Sequence, residues 1–275
     1  MSSFQSIPSV FSRIVPAAIL AAASLSGANE HRFGYVYETG ILAPGAKEIE
    51  VYTTLRAGRE RYYSALDQRI AFEVGVAENL MTAFYLNMRN TSEADALGGM
   101  NTAFDWKGVS SEWKYKLLDP VADALGLGLY GEISYNTDGM DLEPKILVDK
   151  QVGRWLFAAN LIAEFEYEAT GDEMELEEIA PDLTLGATFE VCKGFHAGLE
   201  ARNHNAFVKT SDEEMEHEFS ALYLGPVVSY ATESWWMTFS FLPQLPALAK
   251  EAGGSILVLD DGERYNARLL FSFHI

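Results

Sequence analysis

The sequence predicts an all-β fold: a transmembrane, antiparallel up-and-down β-barrel of about twelve strands preceded by a signal peptide. Three observations predict it. An apolar leader opens the chain, segments with alternating apolar and polar positions fill the remainder, and the last such segment runs to the final residue.

The leader comes first. Arg13 supplies a positive flank, residues 14–25 (IVPAAILAAASL) form an apolar stretch, and Ser26-Gly27-Ala28 places small residues at a cleavage site after Ala28. Residues 1–28 therefore read as a signal peptide. No other stretch reaches the ~18 consecutive apolar residues that a spanning helix needs, so a membrane role has to use strands.

Residues 29–45 (NEHRFGYVYETGILAPG) precede the first strand and end in a Pro44-Gly45 break. This segment either hangs in the periplasm or tucks into the barrel as a small plug. Tucking would cover Phe33, Tyr35 and Tyr37.

The barrel is expected over 46–275, with strands near 47–57, 63–76, 79–89, 104–117, 125–136, 142–151, 155–168, 179–191, 195–203, 218–230, 234–242 and 264–275. Residues 66–76 (LDQRIAFEVGV) show the period of two: Leu66, Ile70, Phe72, Val74 and Val76 share one face, and Asp67, Arg69, Glu73 and Gly75 the other. Residues 155–167 repeat it, with Trp155, Phe157, Leu161, Phe165 and Tyr167 opposed to Asn160, Glu164 and Glu166. Links after even-numbered strands look short, and those after odd-numbered strands look mostly longer and more polar, notably 90–103, 169–178, 204–217 and 243–263. Short periplasmic turns and longer outer loops would give that alternation.

One face of the strands carries ions and the other bulky apolar groups. Asp67, Arg69, Glu73, Glu112, Lys114, Lys116, Glu132, Lys145, Asp149, Glu164, Glu166, Glu200, Arg202 and Arg268 all fall on the polar face and are the expected lumen-lining residues. In water the apolar face would have to turn inward, and twelve strands enclose more space than a simple side-chain core fills. In lipid the pattern is consistent: the apolar face meets acyl chains, the polar face meets a hydrated lumen, and closure leaves no unpaired edge. Trp106, Trp113, Tyr115, Trp155, Tyr167, Trp235 and Trp236 lie near strand ends, where an interfacial girdle would sit.

The final strand, 265–275 (YNARLLFSFHI), alternates Tyr265, Ala267, Leu269, Phe271, Phe273 and Ile275 against Asn266, Arg268, Ser272 and His274. It is similar to the C-terminal strand by which bacterial outer-membrane barrels meet their insertion machinery, although Ile275 stands where Phe or Trp is usual. The runs FGYVYETGILAPGAKEIEVYTTLR, YYSALDQRIAFEVGVAENLMTAFYLN and GVSSEWKYKLLDP resemble an uncharacterised family of porin-like outer-membrane β-barrels of Gram-negative bacteria. The resemblance implies a location in the outer membrane among lipid and lipopolysaccharide, and carries over no catalytic residue.

A net charge of −20 repels phosphate backbones and argues against nucleic acid, leaving small polar or cationic solutes as easier partners. The lone Cys192 allows no intrachain disulfide. The acidic stretches 171–178 (GDEMELEE) and 211–218 (SDEEMEHE) read as solvated loops, since they lack the ligand spacing of an EF-hand, with Ca²⁺ or Mg²⁺ binding or ion bridging to lipopolysaccharide as the alternative. No Walker A loop, HExxH, paired-Cys motif or His-x-Ser-Asn-Gly stretch occurs, so no catalytic residue, metal or cofactor is expected. Two functions stay open: a narrow porin-like channel for small hydrophilic solutes or cations, and a non-conducting structural or surface-interaction barrel with a closed, salt-bridged lumen.

Overall fold

The computed structural model describes residues 29–275 except 96, 172, 213, 251–255 and 261, with no side-chain description for 247–250. The expected signal peptide, residues 1–28, lies outside the described residues.

Among the described residues the chain forms twelve antiparallel strands: β1 (Lys47–Ala57), β2 (Tyr63–Ala77), β3 (Leu80–Ala94), β4 (Met100–Leu118), β5 (Gly126–Tyr135), β6 (Gly139–Val152), β7 (Trp155–Thr170), β8 (Glu173–Cys192), β9 (Phe195–Lys209), β10 (Met215–Ala231), β11 (Trp235–Lys250) and β12 (Tyr265–His274). Each pairs with its neighbours in sequence, and β1 pairs with β12 from Glu48↔His274 to Ala57↔Tyr265, closing the barrel. Closure gives every strand a partner on both sides, which hydrocarbon demands.

The apolar face points out. Phe72, Leu161 and Phe271 are 40%, 60% and 39% exposed, while Glu73, Asn160 and Ser272 beside them are buried inside. Trp106, Trp113, Tyr115 and Trp155 are exposed on this outer wall. Trp236 is not part of the girdle: it is 1% exposed and donates its indole N–H to Glu48 Oε2 at 3.4 Å. Adjacent strand residues face opposite ways, so an exposed Met237 places Trp236 inside.

The long outer loops expected at 90–103, 169–178 and 204–217 are mostly strand. β3 runs on to Ala94, β4 starts at Met100, the β7–β8 ladder extends to Thr170↔Glu173, and the β9–β10 ladder to Met215↔Lys209. The acidic stretch 171–178 is therefore paired backbone from Glu173 onward, and 211–218 is paired from Met215 onward. About ten tilted residues suffice to span hydrocarbon, and β8 has 20 residues. The excess continues as hairpin beyond the apolar belt, where both faces meet water and the alternation that marks a strand disappears. At the opposite end the turns are tight at 78–79, 153–154 and 193–194, with 119–125 the longer exception.

The interior is not uniformly polar. Phe33, Val36, Leu156, Ala158 and Val227 form one apolar cluster and Tyr37, Tyr130 and Leu147 another, each built where residues ahead of β1 meet the wall.

Candidate functional site

Residues 29–43 have no strand partner of their own, yet most of them are buried inside the barrel. Their backbone groups need other partners, and inward side chains of the wall supply them. Glu200 of β9 accepts the N–H groups of Gly34 (3.1 Å), Tyr35 (2.5 Å) and Val36 (2.8 Å), together with the Ser240 hydroxyl (2.6 Å). Asn160 of β7 accepts the Tyr37 N–H at 2.7 Å and donates to the Tyr37 carbonyl at 2.8 Å. Asp149 of β6 accepts the Thr39 N–H at 2.9 Å and its hydroxyl at 2.8 Å. Arg268 of β12 donates to the Gly34 carbonyl at 3.0 Å, and the Thr238 hydroxyl to that of His31.

Small residues in the wall make room for this path. A Cβ on Gly186 would stand 2.4 Å from the Phe33 ring, and one on Gly75 2.1 Å from the Ala43 carbonyl oxygen. The segment visits β11, β9, β7, β6 and finally β2 as it winds around the interior. Within it, burial pushes the Glu38 carboxyl up to about 7, against the stabilising Arg32 N–H. Burial pushes the His31 imidazole well below its usual value, and Lys114 and Lys145 act in the same direction.

On the side of the segment toward the outer hairpins lies a polar cavity of about 530 Å³. On the opposite side lies a recess of about 400 Å³ lined by Asn29, Ile41, Glu48, Glu78, Lys116, Glu233 and His274. The two share no lining residue.

Charge is sorted around the cavity. Arg268, Arg56, Arg69 and Arg89 stand on the adjacent strands β12, β1, β2 and β3, and Asp141, Glu143, Glu164, Glu166, Glu178 and Asp182 on β6, β7 and β8 across the barrel. Each side also holds opposite charges. Asp67 pairs with Arg56 at 2.9 Å and with Arg89, Glu132 pairs with Arg69, Lys145 pairs with Glu143 at 2.8 Å, and Arg202 pairs with Asp182 at 2.6 Å. Among the described residues no ion pair engages Asp141, Glu164 or Glu166, although Asp141 and Glu166 are directly opposite in the β6–β7 ladder. Arg69 lies 4.1 Å over the Tyr85 ring, and Arg268 3.9 Å over that of Tyr35.

The fourteen residues expected on the polar face divide into three groups. Asp67, Arg69, Glu132, Lys145, Glu164, Glu166, Arg202 and Arg268 line the cavity. Glu73, Glu112, Lys114, Asp149 and Glu200 are buried at the other end of the interior, and Glu73, Lys114, Asp149 and Glu200 hydrogen-bond residues 29–43 directly. Lys116 sits at the rim, its ammonium 2.9 Å from Asp119. Sequence reasoning missed Glu48, Glu50, Arg56, Arg89, Asp141 and Asp182. Extending the period of two along β1, β3 and β8, and one residue before the expected start of β6, would have found them.

The family described as a family of unknown function (DUF6662) matches residues 25–275. No curated protein matches the sequence. Among solved structures, an outer-membrane channel from Pseudomonas putida F1 is similar with a TM-score of 0.61 at 10% identity, covering 86% of this chain and 97% of that one. The NanC porin is similar with a TM-score of 0.52 at 13% identity, covering 82% of this chain and all of that one. Identities this low establish the shared fold, a barrel of the bacterial outer-membrane type.

Proposed function

Because this chain belongs to DUF6662, a family of unknown function, its activity must be read from its own interior, and we propose a narrow porin-like outer-membrane channel for small hydrophilic solutes, with cations favoured. The observation that carries this reading is the cavity whose arginine side faces an acidic side across the barrel. Opposed charged walls create a transverse field that orients polar solutes. Asp141, Glu164 and Glu166, which no ion pair neutralises among the described residues, tilt it toward cations. Residues 29–43 form the constriction in this reading, since they separate the cavity from the recess beyond. The names of the two solved structures, a channel and a porin, support it. The outward face of β12 is where insertion machinery would engage the chain, and the exposed apolar belt is where lipid and lipopolysaccharide would pack.

The second reading is the closed barrel. The dense hydrogen bonding of residues 29–43 favours it, because a seated segment of that kind can serve as permanent filling.

Planar-bilayer recording decides between them. Folded, heat-modifiable protein is expected to give small cation-selective steps. Selectivity should fall in Glu164→Gln and Glu166→Gln, and conductance should rise when residues 29–43 are deleted. Absence of steps from the folded full-length protein and from the folded deletion variant would overturn the channel in favour of the closed barrel.

A further inference from the structure

Three glutamates stand together inside the barrel at the end where β1 begins. Glu48 and Glu50 are two apart on β1, and Glu48 is directly opposite Glu73 on β2. All three are buried, and one carboxylate oxygen from each lies within 4.8 Å of the other two. Like charges facing each other across a ladder repel, and a buried carboxylate requires polar partners.

Two of the three have such partners. Glu73 accepts the Asn29 amide at 2.7 Å. Glu48 accepts the Ser272 hydroxyl at 3.0 Å and the Trp236 indole at 3.4 Å, and lies 2.7 Å from His274 Nδ1. Glu50 is different. Its side chain is fully buried and neither carboxylate oxygen has a hydrogen-bond partner among the described residues. The Tyr52 hydroxyl, two positions along the same inward face, interacts with Glu50 but outside hydrogen-bond geometry, so it does not satisfy the carboxylate. The nearby Lys114 ammonium is directed to Asn29 at 3.2 Å.

We propose that Glu48, Glu50 and Glu73 bind one divalent cation, of the calcium type. Ca²⁺ takes oxygen ligands at about 2.4 Å, so oxygens on opposite sides of one ion are about 4.8 Å apart. The three carboxylates fit within that span. Mg²⁺ demands about 2.1 Å and near-ideal octahedral geometry, which three glutamates on two strands do not supply. An ion here gives the Glu50 oxygens the partner they lack and turns the Glu48–Glu73 repulsion into shared coordination. The recess that Glu48 and His274 line gives it an entry route. Since Asn29 holds Glu73 and His274 of β12 holds Glu48, the loaded ion would fasten the start of the N-terminal segment to the barrel seam.

Tb³⁺, which emits after energy transfer from a nearby indole, tests this because Trp236 touches Glu48. The full-length protein folded in detergent is stripped with chelator and titrated with Tb³⁺ under tryptophan excitation. The expected result is a saturable signal of one ion per chain, displaced by Ca²⁺ at lower concentration than by Mg²⁺. Removing one ligand charge should weaken affinity by more than about tenfold in Glu50→Gln and in Glu73→Gln. Ca²⁺ should also raise the thermal unfolding temperature of the wild type and of Trp236→Phe, but not of Glu50→Gln. A non-saturating signal, or binding and thermal protection unchanged in both folded glutamine variants, would overturn the site. Neither readout depends on whether the barrel conducts.

Discussion

Glu200 Oε1 accepts the backbone N–H of Val36 at 2.8 Å, joining the N-terminal segment to β9 across 164 positions of sequence. With the Gly34 and Tyr35 N–H groups on the same carboxylate, three successive donors rest on one side chain. Charge-assisted bonds of this kind are stronger than neutral ones.

Glu200→Ala strips those donors of their partner in a site with no access to solvent. The cost is expected at about 3 kcal/mol, given about 1–3 kcal/mol for each buried group left unsatisfied and the offsetting relief of removing a buried charge. The barrel ladder does not depend on Glu200, so the variant should remain heat-modifiable. Trypsin should cut at Arg32 faster than in the wild type, and equal cleavage rates would show that Glu200 does not hold the segment.

Gly186 and Phe33 leave no room for a side chain between them, since an added Cβ would sit 2.4 Å from the ring. Gly186→Ala should therefore cost about 1–3 kcal/mol through overpacking. Phe33→Ala alone should cost about 3–5 kcal/mol by opening a cavity. Combined, the two should cost less than their sum, because the smaller residue at 33 accepts the new methyl. Denaturant unfolding in micelles measures this, and strict additivity would mean that Phe33 does not occupy the Gly186 notch.

Glu38 makes stability depend on pH. Its carboxyl titrates at about 7 in the folded protein, above its ordinary value of 4.5. Between those values the folded state holds more protons than the unfolded one, so stability falls as pH rises from about 4.5 to 7. The loss is at most about 3 kcal/mol at ~1.4 kcal/mol per pH unit. His31 opposes this trend, because its depressed value makes acid destabilising below about 6.5. Glu38→Gln should match the wild type near pH 5 and exceed it at pH 8. Parallel stability curves for the two proteins across that range would exclude Glu38 as the source.

The barrel was legible because its rule is local. A strand in contact with lipid on one face and polar groups on the other must alternate, and Phe72, Leu161 and Phe271 announce the outer wall by parity alone. Parity also gave the inward direction of all fourteen charged positions, but not which of them line the cavity. Two expectations failed where the local rule ends: both faces of the outer hairpins meet water, so strand there looks like loop, and Trp236 follows parity to the inside despite the amphipathic ring that suggests an interface.

The sequence by itself determined a wall of about twelve strands with its greasy face out, since parity needs only neighbours two residues apart, and closure followed from the intolerance of lipid for unpaired strand edges. Only the tertiary structure decided what fills the wall. Seating residues 29–43 on Glu200, Asn160 and Asp149 and setting arginines opposite acids depend on which strands the closure brings across from one another, while gathering Glu48, Glu50 and Glu73 depends on the register of the β1–β2 hairpin. Those separations run from tens of residues to more than a hundred, and no periodicity along the chain encodes them.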